Sequence, residues 1–316
     1  MITSTYLLEV VKRAVSVPAS QTLLGDPDIL AIADEKIASR MVPLIESFDT
    51  DFFVRRDLIP LVASQQYYDV PYRSIARGLR DLQIQDGQGA YRSLPLIALE
   101  EQTYFTMSSD VAGFYFEGDR IKLLPTVPSS STYMGLILYW RMPPSKLMVL
   151  GDAGVVSAIT YDVAGFDEVT LQNLPSYTTG GALVDFVKKR SGSSILDFDK
   201  TIQSVTGTTL KFTAGDVPTN LSVGDYVCPP EQSPVLNNMP NEAISLIKSH
   251  VTQSMLEAIG DFDAANRVAK MNIPEEEKDF KSIMQPRIDG EPVVIINRRS
   301  LVRGNKFSQR RWIGPP

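Results

Sequence analysis

The sequence predicts an α+β protein with a helical body and a small antiparallel sheet, an inserted all-β module (a barrel or a sandwich) and an extended C-terminal arm. Near both ends of the chain, apolar residues recur every three or four positions, which is the period of an amphipathic helix. Between these tracts lie short apolar or alternating runs separated by Gly, Asn, Asp and Pro, which indicate strands and turns. We therefore predict a discontinuous body over residues 1–150 and 235–286, an inserted β domain over 151–234 and a basic arm over 287–316.

The N-terminal part of the body is predicted to be helical. Thr3 or Ser4 can cap a first helix, which Pro18 ends. Asp26-Pro27 predicts the start of a second helix, with an acidic N-cap and Pro at the first helical position. The apolar stripe of this helix is Leu30, Ala33, Ile37, Met41, Leu44 and Phe48. Pro43 lies within the stripe and should kink or break the helix.

From about residue 52 the pattern changes to strands, and we expect one antiparallel sheet of about four or five strands. Asp86-Gly87 and Gly118-Asp119 each lie between two strand-like runs and predict hairpin turns. Gly87 and Gly89 are also the nearest approach to a phosphate-binding loop. They lack the third glycine and the following helix that a dinucleotide site needs, so a hairpin loop is favoured.

Residues 151–234 have a different residue pattern, which predicts short strands at regular spacing. Examples of the predicted strands are Val155–Tyr161, Glu168–Leu171, Ile202–Val205, Thr209–Phe212 and Asp225–Cys228. The run from Leu183 to Lys189 fits either a strand or a single helical turn. After Pro240 the helical period returns in Ile244, Ile247, Val251 and Met255, and Pro274 opens a further helix that ends before Pro286.

The composition bears on the class of function. The chain contains one cysteine, Cys228, and one histidine, His250, which excludes an intramolecular disulfide and most zinc sites. We predict no catalytic, cofactor-binding or metal-binding residue and therefore expect that the protein is not an enzyme. We expect Cys228 to be a buried small hydrophobe. No signal peptide or membrane-spanning run is visible, so we expect synthesis in the cytoplasm.

Charge is distributed unevenly along the chain. Residues 287–316 contain seven positive and two negative side chains, a net charge of +5, whereas the whole chain carries −6 and the remainder therefore −11. The predicted docking residues of this arm are Arg298, Arg299, Arg303, Lys306, Phe307, Arg310, Arg311 and Trp312. Arginine and tryptophan are common interface residues, so we interpret the arm as a docking segment rather than an inert basic tail.

The order of motifs along almost the whole chain resembles that of a known family. The order is Asp26-Pro27-Asp28-Ile29-Leu30, Val42-Pro43, Tyr68-Asp69-Val70-Pro71 with Arg73, Gly113-Phe114-Tyr115, Leu123-Leu124-Pro125, Tyr139-Trp140-Arg141-Met142-Pro143, Gly224-Asp225-Tyr226-Val227, Ser233-Pro234, Met239-Pro240-Asn241-Glu242, Gly260-Asp261 and Pro286-Arg287-Ile288-Asp289-Gly290-Glu291-Pro292. This order is similar to that of the head-to-tail connector, or adaptor, proteins in the neck of tailed bacteriophages.

The resemblance implies a structural protein of the virion, located at the head-tail junction. Such adaptors form a ring of about twelve copies that docks under the portal protein, extends the DNA channel and provides the attachment surface for the next neck or tail protein. Genomic DNA would pass through the lumen without sequence-specific binding. The family uses helices for subunit contacts, so Ile244, Ile247, Val251 and Met255 become candidate interface residues. The β module departs from the minimal helical adaptor, which leaves its role open.

Three alternatives remain open at this point. The chain resembles neck proteins in general, so a stopper, a tail-completion protein or a baseplate ring would also fit. The tyrosines of the inserted β module would suit a glycan-binding or receptor-binding protein. A lytic glycosidase with an acidic pair is the remaining alternative, although the sequence offers no pair that we would name.

Overall fold

Helices occupy both ends of the described chain, and antiparallel sheets occupy the middle, so the fold is α+β. The computed structural model describes residues 2–16, 24–75, 78–86, 88–101, 111–127, 133–190 and 195–284. The described residues up to Ile283 belong to one compact unit. None of the helices within these ranges is long and apolar enough to cross a membrane.

The helices follow the predicted apolar stripes closely. Their bounds are α1 (Ser4–Val15), α2 (Asp26–Lys36), α3 (Val42–Phe48), α4 (Ile244–Ala258), α5 (Phe262–Arg267) and α6 (Ile273–Met284). Thr3 caps α1, because its hydroxyl accepts a hydrogen bond from the Tyr6 amide at 3.2 Å. The N-cap of α2 is Gly25, one residue earlier than predicted, and the Asp28 carboxylate accepts the Gly25 amide at 2.9 Å.

Pro43 and Pro274 each lie two residues after the end of a π-helical turn. The first turn, Ile37–Met41, joins α2 to α3 before Pro43, and the second, Val268–Asn272, joins α5 to α6 before Pro274. Proline lacks an amide hydrogen, and its ring clashes with the preceding turn of an α-helix. A wider turn with bonds between residues five apart accommodates that ring. Pro43 therefore alters the helix without ending it.

The two helical ends of the chain pack together. Helices α1 and α2 both contact α4, so that the buried face of α1, which includes Leu7 and Val11, lies in the helical layer. Thr3 forms a β-bridge with Val235, and the Ser4 amide donates to the Pro234 carbonyl at 2.8 Å. The chain start is therefore fixed next to the segment that leads into α4.

The body contains two antiparallel sheets rather than the single sheet that we predicted. The first has the order β1 (Val54–Pro60), β7 (Gly135–Arg141), β3 (Leu79–Gln85), β4 (Tyr91–Ser93); the second has the order β2 (Tyr67–Asp69), β6 (Arg120–Leu124), β5 (Gly113–Glu117). Their inner faces share one core that includes Leu82, Ile121, Leu138 and Trp140. Alternation along a strand shows which face is buried but not which strand is the partner, and this is why the prediction merged the two sheets.

The module is one antiparallel sheet of seven strands. Its order is β12 (Asp197–Thr201), β11 (Leu183–Val187), β15 (Tyr226–Cys228), β9 (Gly154–Val163), β10 (Phe166–Leu171), β14 (Thr209–Thr213), β13 (Ser204–Thr206). Leu183–Val187, which the sequence left undecided, is therefore a strand. A short parallel pair, β8 (Lys146–Leu147) and β16 (Gln232–Ser233), lies where the chain enters and leaves the module.

This sheet curls on itself. Its two edge strands, β12 and β13, are consecutive in the sequence and are separated only by Ile202 and Gln203. The rings of Phe186 on β11 and Phe212 on β14 lie 5.3 Å apart, although the two strands are four positions apart in the sheet. Such a contact requires strong curvature, and the enclosed side chains form a separate core.

Candidate functional site

The arm lies outside the described residues, and so do all eight of its predicted docking residues: Arg298, Arg299, Arg303, Lys306, Phe307, Arg310, Arg311 and Trp312.

The four candidate subunit-interface residues lie on α4. Ile247, Val251 and Met255 are fully buried in the single chain, and Ile244 is partly buried. Their side chains belong to the packing of the helical layer, because α4 contacts both α1 and α2. An intersubunit contact through these residues would require α4 to move away from those helices.

Cys228 and His250 lie in different parts of the fold. Cys228 is a free, fully buried cysteine in β15, as predicted, and burial raises the pKa of its thiol. His250 lies on α4, where burial lowers its pKa and the charges of Arg40 and Lys36 lower it further. Within the described ranges, no three His, Cys, Asp or Glu side chains are grouped so as to hold a metal ion.

The strongest polar cluster joins the body to the module. Arg73, in the turn after β2, is buried and forms a two-pronged ion pair with Asp185 of β11, with Nη1–Oδ2 and Nη2–Oδ1 distances of 2.7 and 2.9 Å. Arg73 Nη2 also lies 2.5 Å from Asp199 Oδ1 of β12. The Tyr72 hydroxyl donates to the same Asp199 oxygen at 2.8 Å and accepts a hydrogen bond from Arg73 Nε at 2.9 Å. We call these four residues the Arg73 joint.

Backbone amides complete the coordination of the Asp185 carboxylate. The Asp199 amide donates to Oδ1 at 3.1 Å, and the Glu231 amide donates to Oδ2 at 3.0 Å. Each oxygen therefore accepts two hydrogen bonds, which is the arrangement of an ionised carboxylate. Burial alone would lower the pKa of Arg73, but the hydrogen bonds and charge of Asp185 outweigh burial and raise it. The guanidinium therefore stays charged.

An aromatic contact extends the joint into the core of the body. The ring of Phe198, on β12, lies under the guanidinium groups of Arg73 and Arg55 at 5.0 and 4.5 Å. The same ring packs nearly perpendicular to the Trp140 ring of the body sheet, with 6.1 Å between ring centroids. Phe198 and Ile195 both pack against the body core. The module is therefore attached to the body by a buried ion pair and by shared apolar packing.

A cavity of about 440 Å³ opens beside the Arg73 joint. It lies between α2 with its π turn, the segment that follows β7, and Glu231, which precedes β16. Most of its wall is apolar, and Asp34 of α2 is one of the lining residues. Asp34 Oδ1 accepts the Leu147 amide at 2.8 Å, which ties α2 to β8. Burial is the main reason that the pKa of Asp34 rises to about 6.

Sequence reasoning missed the joint and the cavity, although one signal for the joint was present. Asp185 is the only charged residue in the strand Leu183–Val187, whose last four residues are buried. A carboxylate inside such a strand requires a cation or several hydrogen-bond donors. The sequence does not show that the cation is Arg73, which is 112 residues away.

A scan against protein-family models finds no match to this sequence. A search of curated proteins also finds no similar sequence.

Proposed function

We propose that this chain is a structural virion protein, a subunit of a head-to-tail connector (adaptor) ring. In this proposal about twelve copies form a ring that docks under the portal protein, extends the DNA channel and offers an attachment surface to the next neck or tail protein. The observation that carries the proposal is the order of sequence motifs that resembles the adaptor family. The proposed role is structural, so we assign no catalytic residue and no cofactor.

The described fold supports this proposal in two ways. Helices from the two ends of the described chain pack together, and the basic arm begins in sequence three residues after the end of α6. The Arg73 joint attaches the inserted β domain to the body through a buried ion pair and packed aromatic rings. A subunit whose role is to maintain a shape under load benefits from such an attachment.

The charge distribution suits passage of DNA and docking of the arm. The residues before 287 carry a net charge of −11, so a ring built from them would repel phosphate groups and favour passage over adhesion. The arm carries +5 and would suit an acidic groove on the portal protein. We therefore assign portal docking to the arm residues named above.

The test is electron microscopy of the purified full-length chain mixed with the portal protein encoded by the same genome. We expect a second ring stacked coaxially on the portal, with one subunit per portal subunit. Bare portals beside unassembled chains would contradict the adaptor role and would favour another neck or tail component.

A charge-reversal variant tests the arm. Replacing Arg298, Arg299, Arg310 and Arg311 with Glu should abolish ring assembly on the portal, while the circular dichroism spectrum and the melting temperature stay unchanged. The matched control replaces four cations of the described fold with Glu, namely Arg13, Arg120, Lys189 and Arg190, all of which are exposed. Assembly that persists in the arm variant, or is lost equally in the control, would refute the docking role of the arm.

A further inference from the structure

The cavity beside the Arg73 joint has the size and lining of a small-molecule site. We propose that it binds an organic ammonium group carried on a short apolar stem and that the carboxylate of Asp34 recognises the charge. This inference does not depend on the proposed function, because it rests on the cavity alone.

Among the described residues Asp34 has no ion-pair partner in contact, although the charge of Lys146, which also lines the cavity, acts on it and lowers its pKa. Arg73 is paired with Asp185 and Asp199. Lys146 Nζ lies 4.0 Å from Glu231 Oε2, and Glu35 Oε1 lies 3.3 Å from Lys36 Nζ. Asp34 Oδ1 accepts the Leu147 amide, but Oδ2 has no hydrogen-bond partner among the described residues. A carboxylate accepts hydrogen bonds on both oxygens, so Oδ2 is available to a donor from a ligand.

The apolar part of the cavity wall determines which group the ligand must carry beside its ammonium. The apolar lining consists of Ile37, Ala38, Val42, Met142, Pro143 and Pro144. The volume of about 440 Å³ falls within the range of small-molecule sites, which combine apolar walls with a few polar groups and often lie between parts of a fold. An ammonium on an alkyl or arylalkyl stem satisfies both features, whereas an anion would be repelled by Asp34.

Binding should depend on pH through Asp34. Burial raises the pKa of this carboxyl to about 6, so the group is ionised above that pH and neutral below it. The other charged or titratable groups lining the cavity are Glu35 of α2, Lys146 of β8, Glu231, which precedes β16, and Tyr72 and Arg73 of the joint. Alkylammonium groups and lysine keep their charge well above pH 6. Affinity should therefore rise as pH rises through 6.

The test is a calorimetric titration of the full-length chain with benzylammonium chloride at pH 7.5. We expect saturable binding, with benzyl alcohol and benzoate each at least about tenfold weaker because they lack the positive charge. At pH 5 the benzylammonium affinity should fall by about tenfold, because only about a tenth of the Asp34 side chains remain ionised. A parallel titration uses the lysine peptide acetyl-Leu-Lys-Leu-amide. Tighter binding of this peptide would identify a protein side chain as the source of the ammonium, and tighter binding of benzylammonium would identify a free amine.

Two variants make the site assignment specific. Asp34→Asn keeps an acceptor for the Leu147 amide and should weaken benzylammonium binding by at least about tenfold. Ala38→Leu should fill part of the cavity and also weaken binding, with Asp34 intact. Glu242→Gln, which removes an exposed carboxylate outside the cavity lining, is the matched control and should bind as the parent chain does. Melting curves establish that each variant is folded.

Three results would overturn the proposal. The first is the absence of any binding heat in the calorimetric titration with either cationic probe at concentrations up to about 10 mM. The second is equal binding of benzyl alcohol and benzylammonium, because the carboxylate would then play no part. The third is unchanged benzylammonium affinity in the folded Asp34→Asn variant, which would place the cation elsewhere.

Discussion

Arg73 is the residue on which the attachment of the module to the body most depends. Its guanidinium is almost entirely buried, and both of its terminal nitrogens contact Asp185. A buried ion pair gives little net stability over an apolar pair, but removing one member leaves the other charge buried without compensation. The loss of stability on removing Arg73 therefore comes mainly from leaving the buried Asp185 carboxylate without a counterion.

Replacing Arg73 with Ala should lower the free energy of unfolding by about 3–5 kcal/mol. The physical reason is the uncompensated Asp185 carboxylate, and urea denaturation measures the effect. The control is Arg80→Ala, which breaks an exposed pair with Asp51 and should cost at most about 1 kcal/mol. Equal costs for the two variants would mean that burial of the joint contributes nothing.

Asp34 should behave as a destabilising carboxylate at neutral pH. Its pKa in the folded chain, about 6, lies above the ordinary value of 3.8, so the folded state binds the proton more tightly than the unfolded state. Stability contributed by this group is therefore present at low pH and is lost as pH rises from about 4 through 6. The carboxylate weakens the fold where it is ionised.

The variant Asp34→Asn should therefore stabilise the chain by roughly 2–3 kcal/mol at pH 8. The gain should shrink as the pH is lowered through 6 and disappear near pH 4, because the parent carboxyl is then neutral in both states. Denaturation of both chains at a series of pH values measures this difference. A gain that is constant over this range would indicate that Asp34 is not the titrating group.

At the scale of elements, the hairpin between β5 and β6 shows how a single turn residue directs the chain. The loop is Gly118-Asp119, as the sequence predicted, and Gly118 has a φ of 68°. Residues with a Cβ are strained in this left-handed region, whereas glycine is not. No atom lies within 4 Å of the position that a Gly118 Cβ would occupy, so backbone strain alone opposes a substitution.

Gly118→Ala should therefore cost about 1 kcal/mol of stability. Gly151→Ala is the control, because Gly151 also has open space around its Cβ position but no positive φ. Thermal or urea denaturation of the two variants should show the loss only at position 118. An equal loss at both positions would argue against backbone strain as the cause.

Local patterns predicted most elements, but not their pairing. The interruption at Pro43, the hairpin at Gly118 and most strands of the module follow from periodicity and turn chemistry. Asp197–Thr201 is not among the predicted strands, and the predicted strand Ile202–Val205 begins two residues before the observed Ser204–Thr206. The division of the body strands into two sheets does not, because the residue pattern along a strand does not identify its hydrogen-bonding partner. Leu183–Val187 was ambiguous because the short run from Leu183 to Lys189 fits either period.

At the scale of the whole molecule, the Arg73 joint should make the body and the module unfold together. Phe198 and Ile195 of the module pack into the body core, and the ion pair lies beside them. Two parts that share buried contacts lose those contacts in one step, so neither part unfolds alone at low cost. Two side chains can report on this coupling, namely Trp140 in the body sheet and Cys228 in the module.

The prediction is that Trp140 fluorescence and alkylation of Cys228 report the same urea midpoint in the parent fold. Cys228 is the single cysteine, and a Trp312→Phe background leaves Trp140 as the single tryptophan. In the Arg73→Ala variant, Cys228 should become reactive at lower urea than the concentration at which Trp140 fluorescence changes. Coincident midpoints in both chains would show that the apolar contacts alone couple the two parts.

The sequence by itself determined the α+β class, the helical ends, the β character of residues 151–234 and the positions of the main turns. These features depend on local periodicity and on the backbone preferences of Gly and Pro, which act within a few residues. Only the tertiary structure decided the pairing of strands, the partnership of Arg73 with Asp185 and the cavity that Asp34 helps to line. Burial, hydrogen bonding and charge pairing join residues more than 100 positions apart, and no local pattern encodes such a distance.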